Sequence, residues 1–204
     1  MSVFVYYMTR PKNELTKAGS NRNCRQDDNR LNQERGTIKM IIREVTQTDA
    51  NQLVELHKQL DEETKFMLFE PDERENNETR QSKIISSILE SNNSNIFLAV
   101  KNNRVVGHLT VIGGHTKRIS HRAYIVIGIL KEFSSKGVGY ELFNAMENWR
   151  LTTGIKRLEL TVMTNNEIGI KLYKKAGFEV EGIKKNSIII GDRYIDEYYM
   201  AKVY

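Results

Sequence analysis

Cysteine is almost missing from this sequence. Cys24 stands alone, so no internal disulfide can form, and a cytoplasmic location is the expectation. Long apolar runs are missing too. None approaches the roughly 20 residues that a membrane-crossing helix needs. The apolar start MSVFVYYM has no basic region before it and no small-residue cleavage site close behind, so it does not read as a signal peptide. Metal-ligand patterns are absent: His57, His108, His115 and His121 show no strong metal spacing and no cysteine cluster accompanies them, so no metal is expected. There is no internal repeat.

Acidic residues are in the minority, with 26 against 31 Lys and Arg, a formal charge of +5. Such an excess would suit a nucleic-acid partner, but its distribution argues otherwise. Residues 1–39 hold eight basic and four acidic side chains, which leaves the rest nearly neutral and a poor electrostatic footprint for DNA or RNA.

At 204 residues the chain is long enough for one domain with a real core and an appendage. Residues 1–37 are expected to be a polar, flexible N-terminal extension, because residues 16–36 are dense in Asn, Arg, Gln, Asp and Ser. The folded domain is expected over 38–204.

The most informative stretch is residues 125–149, IVIGILKEFSSKGVGYELFNAMENW. An apolar, β-branched run ends at Leu130, a polar loop follows, and Gly137 and Gly139 fall where a helix should begin. Ser134 or Ser135 is placed to cap that helix. Val138, Leu142, Ala145, Met146 and Trp149 then recur at helical spacing. Strand, glycine turn and helix together make a candidate pyrophosphate cradle, because a helix start holds free N–H groups and the positive end of the dipole. A glycine turn that binds nothing remains the alternative at this point. A Walker loop is excluded, since Val-Gly-Tyr stands where Gly-Lys-Ser/Thr is required. A dinucleotide fingerprint is excluded because Leu142 occupies the third glycine position.

Downstream, residues 166–178 read NEIGIKLYKKAGF. Taken with the first stretch, this resembles the GCN5-related N-acetyltransferases, the GNAT superfamily. The family's phosphate loop, Arg/Gln-x-x-Gly-x-Gly/Ala, corresponds to residues 134–139, with Ser134 in place of Arg or Gln. The later motif matches at Asn166, Leu172, Tyr173, Gly177 and Phe178, with Gly169 replacing alanine. The resemblance covers about residues 41–204. The patterning gives the element order βααβββαβαββ, that of an α/β (α+β) GNAT fold with a mixed, largely antiparallel sheet flanked by helices.

Strands are expected over residues 38–45, 96–100, 105–112, 119–130 and 155–162, with a short strand from 178 and a hairpin of 188–190 and 194–203. Helices are expected from Thr48 or Asp49 through Leu60, over 77–90, after the glycines, and over 166–176.

The resemblance implies acetyl transfer from acetyl-CoA to a primary amine, with no metal. It implies that the strand ending at Ile129 splays from the next and receives the pantetheine of CoA. Backbone groups near Ile129 and Lys131 would pair with that arm, and the Ile129 N–H would polarise the thioester. Ser134, Ser135, Lys136, Gly137, Val138, Gly139 and Tyr140 form the phosphate loop, where Gly137, Val138, Gly139 and Tyr140 would offer N–H groups and Lys136 a charge. Asn166 would hold pantetheine, and Tyr173, on the same helix face, would be the general acid.

The general base stays open among Glu62, Glu63, Glu70, Asp196 and Glu197. The acidic segment 61–78 would border the acceptor, which the sequence leaves unidentified as a small molecule or a protein amine. A homodimer is one expected assembly, and no membrane partner is expected. Two other readings stay open: a non-catalytic acyl-CoA sensor, and a nucleic-acid-associated protein using the basic arm.

Overall fold

The computed structural model describes residues 39–204. The expectations for residues 1–37 therefore lie outside the described residues.

Strand β1 (Ile41–Glu44) leads into helix α1 (Ala50–Glu63) through a single 3-10 turn. Asp49 fixes that entry. Its carboxylate accepts the Thr46 N–H at 2.7 Å and receives the Arg43 guanidinium in a fork of two 2.7 Å bonds. The Arg43 bonds chiefly, with help from Thr46, hold its pKa down at about 2. Helix α2 (Glu78–Leu89) is capped by Asn77, whose side chain accepts the Arg80 N–H. Then come β2 (Asn95–Lys101), β3 (Arg104–Gly113) and β4 (Arg122–Ile129). Helix α3 (Val138–Arg150), β5 (Arg157–Met163), helix α4 (Glu167–Lys175), β6 (Glu179–Ile190) and β7 (Arg193–Val203) complete the chain.

The seven strands form one sheet in the order β1-β2-β3-β4-β5-β7-β6. Among the described residues only β4 and β5 run parallel; the other pairings are antiparallel. The expected element order and fold class hold. Helices α1 and α3 cover opposite faces. Phe97 of β2 stacks edge-on against Trp149 of α3, whereas His108 of β3 meets His57 of α1. Phe97 pairs with Leu109 and Leu98 with His108, so the alternation of β2 and β3 feeds both faces. Leu53, Leu56 and Leu60 on α1 and Leu142, Phe143 and Met146 on α3 are the buried stripes.

Some boundaries differ from the sequence reading. The fourth strand starts at Arg122 rather than 119, because Lys117–Ile119 forms a 3-10 turn. The short strand at 178 and that at 188–190 are one strand, β6. Its middle lacks a period-two pattern because it bulges: Lys184 opposes Glu197 and Ile188 opposes Ile195, so residues 185–187 face Asp196 alone. Among the described residues, no helix is long and apolar enough to cross a membrane.

Candidate active site

β4 and β5 pair only where residues 122–124 meet residues 157–159. Beyond Tyr124 the two strands separate. The Leu130 N–H donates to the Val106 carbonyl of β3, so by strand alternation the backbone groups of Ile129 and Ile127 point the other way, into the opening. Tyr124 closes the apex. Its hydroxyl lies 2.8 Å from Thr161 Oγ1 and accepts the Thr161 N–H at 3.2 Å, replacing a ladder bond that the splay removes. Ile127 and Ile129 are only partly covered, as the walls of a cleft would be.

The loop beyond β4 turns through two left-handed residues, Ser135 at φ 58° and Gly137 at φ 86°. Gly137, not Ser134 or Ser135, takes the N-cap position of α3, so the expected serine cap is corrected. The two left-handed turns delay the helix to Val138. The first helical bond runs from the Glu141 N–H to the Gly137 carbonyl, leaving the N–H groups of Val138, Gly139 and Tyr140 without intrahelical partners.

The two glycines serve different ends. A Cβ on Gly137 would meet nothing, so its backbone angle is what demands glycine. A Cβ on Gly139 would stand 2.7 Å from Leu172 and 3.3 Å from Ile129, so this glycine lets α3 approach α4 and the cleft wall. Lysines ring the loop: Lys136 and Lys101 sit 5.9 and 5.5 Å from the Phe133 ring centre, and Lys175 sits 4.7 Å from that of Tyr140. Lys101, Phe133 and Lys175 were not singled out in the sequence.

Lys131 sits differently from its expected role. Its N–H donates to Glu63 Oε2 at 2.8 Å and its carbonyl accepts the Ser134 N–H at 3.1 Å. Both backbone groups are engaged within the chain, which leaves Ile127 and Ile129 to face the cleft.

On α4, Asn166 is the N-cap. Its Oδ1 accepts the Gly169 N–H at 3.0 Å, leaving the amide nitrogen as its free donor. Glycine at 169 suits this, since a Cβ would come within 2.8 Å of that nitrogen. Tyr173 is buried in an aromatic triangle with Phe143 and Phe178, each ring centre 6.2 Å from its own. Burial foremost, and the nearby Tyr124 phenol second, push its pKa above the usual tyrosine range. The Tyr124 pKa is also raised, by burial and by Glu197 and Glu159, against the opposing Thr161 bonds. Tyr124, at the apex of the splay, is thus within electrostatic reach of both Tyr173 and Glu197.

The candidate bases separate by their commitments. Glu63 holds Lys131. Asp196 receives Lys185 Nζ at 2.7 Å and the Asn186 N–H at 2.9 Å, bonds that pin the β6 bulge and lower its pKa. Glu62 and Glu70 are exposed. Glu197 is half-buried and is in no ion pair with another described residue.

The acidic segment is less open in charge than its composition suggests. Asp61 is 4 % exposed and takes Arg74 in a fork of 2.6 and 3.0 Å bonds, while the guanidinium lies 4.3 Å from the Phe69 ring centre. This clamp closes the segment onto α1. Among the described residues, no group of three or more His, Cys, Asp or Glu side chains is arranged to hold a metal.

Residues 42–199 match a family model described as an acetyltransferase (GNAT) domain. The chain belongs to the GNAT family. A solved GNAT acetyltransferase from Streptococcus pneumoniae superposes with a TM-score of 0.78 at 28 % identity, covering 81 % of this chain and 99 % of its own. The yncA structure from Salmonella typhimurium, solved with acetyl-CoA, superposes at 0.72 with 15 % identity over 80 % of this chain and 93 % of its own, a likeness of fold. The L-amino acid N-acetyltransferase AaaT of Escherichia coli K12 is 40 % identical over 103 residues. That match spans 48 % of this chain and 62 % of the relative's length. The GNAT assignment accounts for both sequence motifs and for the splay between β4 and β5.

Proposed function

We propose that this chain transfers the acetyl group of acetyl-CoA to the amine of a small L-amino acid. The observation that carries the reaction class is the opening between β4 and β5 beside a helix start with three unpaired N–H groups. An extended pantetheine arm fits an opening lined by strand backbone, and a pyrophosphate fits the helix start. The acceptor class is supported by the similarity to the amino-acid acetyltransferase.

Acetyl-CoA supplies the acyl group as a thioester. The N–H groups of Val138, Gly139 and Tyr140 hold the pyrophosphate, with Lys136 adding charge. Asn166 offers its amide nitrogen to a pantetheine carbonyl. The Ile129 N–H, with Ile127 further into the cleft, pairs with the arm and polarises the thioester oxygen. An amino-acid amine enters as an ammonium. It sheds one proton before attack and a second as the amide forms. Tyr173 returns one proton to the departing sulfur, so the net release is one proton with free CoA thiol and the N-acetyl product. Glu197, half-buried, without an ion-pair partner among the described residues and within electrostatic reach of Tyr124, is the carboxylate assigned to take the first proton.

The test is a panel of amino acids, polyamines and peptide N-termini with acetyl-CoA, read by release of free CoA thiol. Turnover of free amino acids is expected. Turnover confined to polyamines or peptides would overturn the acceptor class. Tight CoA binding with no thiol release would favour a sensor instead.

Ser134 is short and uncharged where the family often has Arg or Gln, so Lys136 is expected to supply much of the side-chain contribution to phosphate binding. Lys136→Ala should weaken CoA binding by roughly 1–2 kcal/mol, the scale of a charge-assisted hydrogen bond. It should also flatten the salt dependence measured by calorimetry. Unchanged affinity at low salt would remove Lys136 from the site.

We also assign the activity to the domain without residues 1–37, on their polar composition. A protein starting at Met40 should unfold cooperatively and bind acetyl-CoA. Loss of either property would make the extension part of the working fold.

A further inference from the structure

Beyond the apex of the cleft, β5, β7 and β6 present a continuous polar face. Thr161 opposes Tyr199 and Met163 opposes Glu197 across β5 and β7. Gly182 opposes Tyr199 and Lys184 opposes Glu197 across β7 and β6. Because opposed residues share a face, Thr161, Met163, Tyr199, Glu197 and Lys184 lie on one side of the sheet. Thr161 bonds to Tyr124 there, so this is the side on which the cleft apex opens.

Most charges on this face are already satisfied. Glu159 is paired with Arg122 at 3.4 Å and Arg157 at 3.1 Å, and Arg157 also grips Glu181. Glu197 and Lys184 differ. They are direct cross-strand neighbours of opposite sign, yet neither is in an ion pair among the described residues. The next pair along shows what closure looks like, with Lys185 locked onto Asp196 at 2.7 Å. Lys184 instead lies 6.0 Å from the Tyr199 ring centre.

We propose that Glu197 and Lys184 form the acceptor subsite for an α-amino acid, Glu197 receiving the ammonium and Lys184 the carboxylate. This rests on the amino-acid reading above. The two charged groups of an α-amino acid sit on one carbon. Cross-strand side chains about 5 Å apart at Cβ can flank such a group from both sides. Glu197 is two residues along β7 from Tyr199, which opposes the Thr161 bonded to Tyr124, so an ammonium held there stands on the side where the splay opens. The ring of Tyr199, partly exposed on the same face, offers apolar surface to the amino-acid side chain. Holding both charges distinguishes a free amino acid from a polyamine, which has no carboxylate for Lys184.

The experiment compares the amino acid turned over fastest in the amine panel with its own amide, which keeps the amine and lacks the carboxylate. In the wild type kcat/KM should favour the free acid. In Lys184→Met that preference should fall by about tenfold, the worth of one charge-assisted contact. Lys185→Met, which breaks only the pair at the bulge, should keep the wild-type preference. Glu197→Gln should raise KM for acid and amide alike, since both carry the ammonium, and lower kcat for both, since the proton acceptor is also lost; an unchanged KM for both would remove Glu197 from the subsite.

If Lys184→Met discriminates as the wild type does, or Lys185→Met loses discrimination equally, the subsite is wrong while the amino-acid reading stands. If the wild type turns over amino acids but does not prefer acid over amide, the subsite is wrong while the amino-acid reading stands; if it uses no amino acid, the amino-acid reading fails and the subsite fails with it.

Discussion

Tyr173→Phe should lower kcat by about 10–10³-fold, around the range for removing a general acid. Acetyl-CoA affinity should change little. The substitution keeps the ring that packs against Phe143 and Phe178, so the fold has little reason to respond. In the proposed mechanism it removes a proton donor needed only as the C–S bond breaks, and an interaction made late in a reaction shows in kcat rather than in ground-state binding. The raised pKa keeps the phenol protonated throughout the neutral range, so the donor form is always present. It also makes the phenol a weak acid, which argues for the lower part of the range. Asn166→Ala supplies the contrast: it should weaken donor binding, because that contact precedes reaction. Turnover of Tyr173→Phe at the wild-type rate, where chemistry limits kcat, would leave the GNAT assignment intact and remove the acid.

Acid should unfold this protein earlier than its carboxylates alone would require. His57 and His108 are buried, 8 % and 2 % exposed, with ring centres 4.9 Å apart. His108 Nδ1 lies 3.0 Å from Thr110 Oγ1, while its Nε2 has no partner among the described residues. Burial foremost, with Arg74 adding, lowers the His108 pKa to about 3. Burial, His108 and Arg74 push that of His57 well below normal. Asp61 is already committed to Arg74, so it offers little to a new imidazolium.

The unfolded chain therefore binds protons near pH 6.5 that the folded chain refuses. Stability is full above that value and falls as pH drops toward the folded pKa. His108 alone should cost about 2–3 kcal/mol between pH ~6.5 and ~4.5, at roughly 1.36 kcal/mol per unit. The carboxylates with lowered pKa values, such as Asp49 and Asp196, lose their contribution only at lower pH. Urea midpoints from pH 7 to 4.5 would show the slope, and His108→Gln should reduce it by about half, since one of the two rings then no longer titrates. A flat wild-type profile, or an unchanged slope in the variant, would contradict this account.

Much of this was legible in the chain. The apolar strand, glycine turn and helix stripe placed β4, the glycine loop and α3, and the spacing of Asn166 and Tyr173 placed both on α4. The parts that were not legible share a cause: side chains committed to distant partners. Glu63 looked like a free acid and instead caps the Lys131 N–H, 68 residues away in sequence. Asp61 looked like part of an acidic loop and is buried against Arg74. Lys175 reads as an ordinary C-terminal helix lysine until the fold sets it over Tyr140. Nothing local announces the one-sheet path of β6 either, because backbone pairing to β7 carries a stretch whose side chains have no strand pattern.

That same stretch bears on how the protein keeps to itself. Among the described residues β6 is an outer strand, and a straight twelve-residue border would offer another chain a long row of free N–H and C=O groups. The Asp196-pinned bulge breaks the row into two shorter pieces, and Lys184 and Lys185 place like charges at the break. Edge-to-edge stacking of copies along β6 would have to flatten the bulge and bring those lysines together. The kink that interrupts the strand pattern thus also guards the sheet against fibre-like growth.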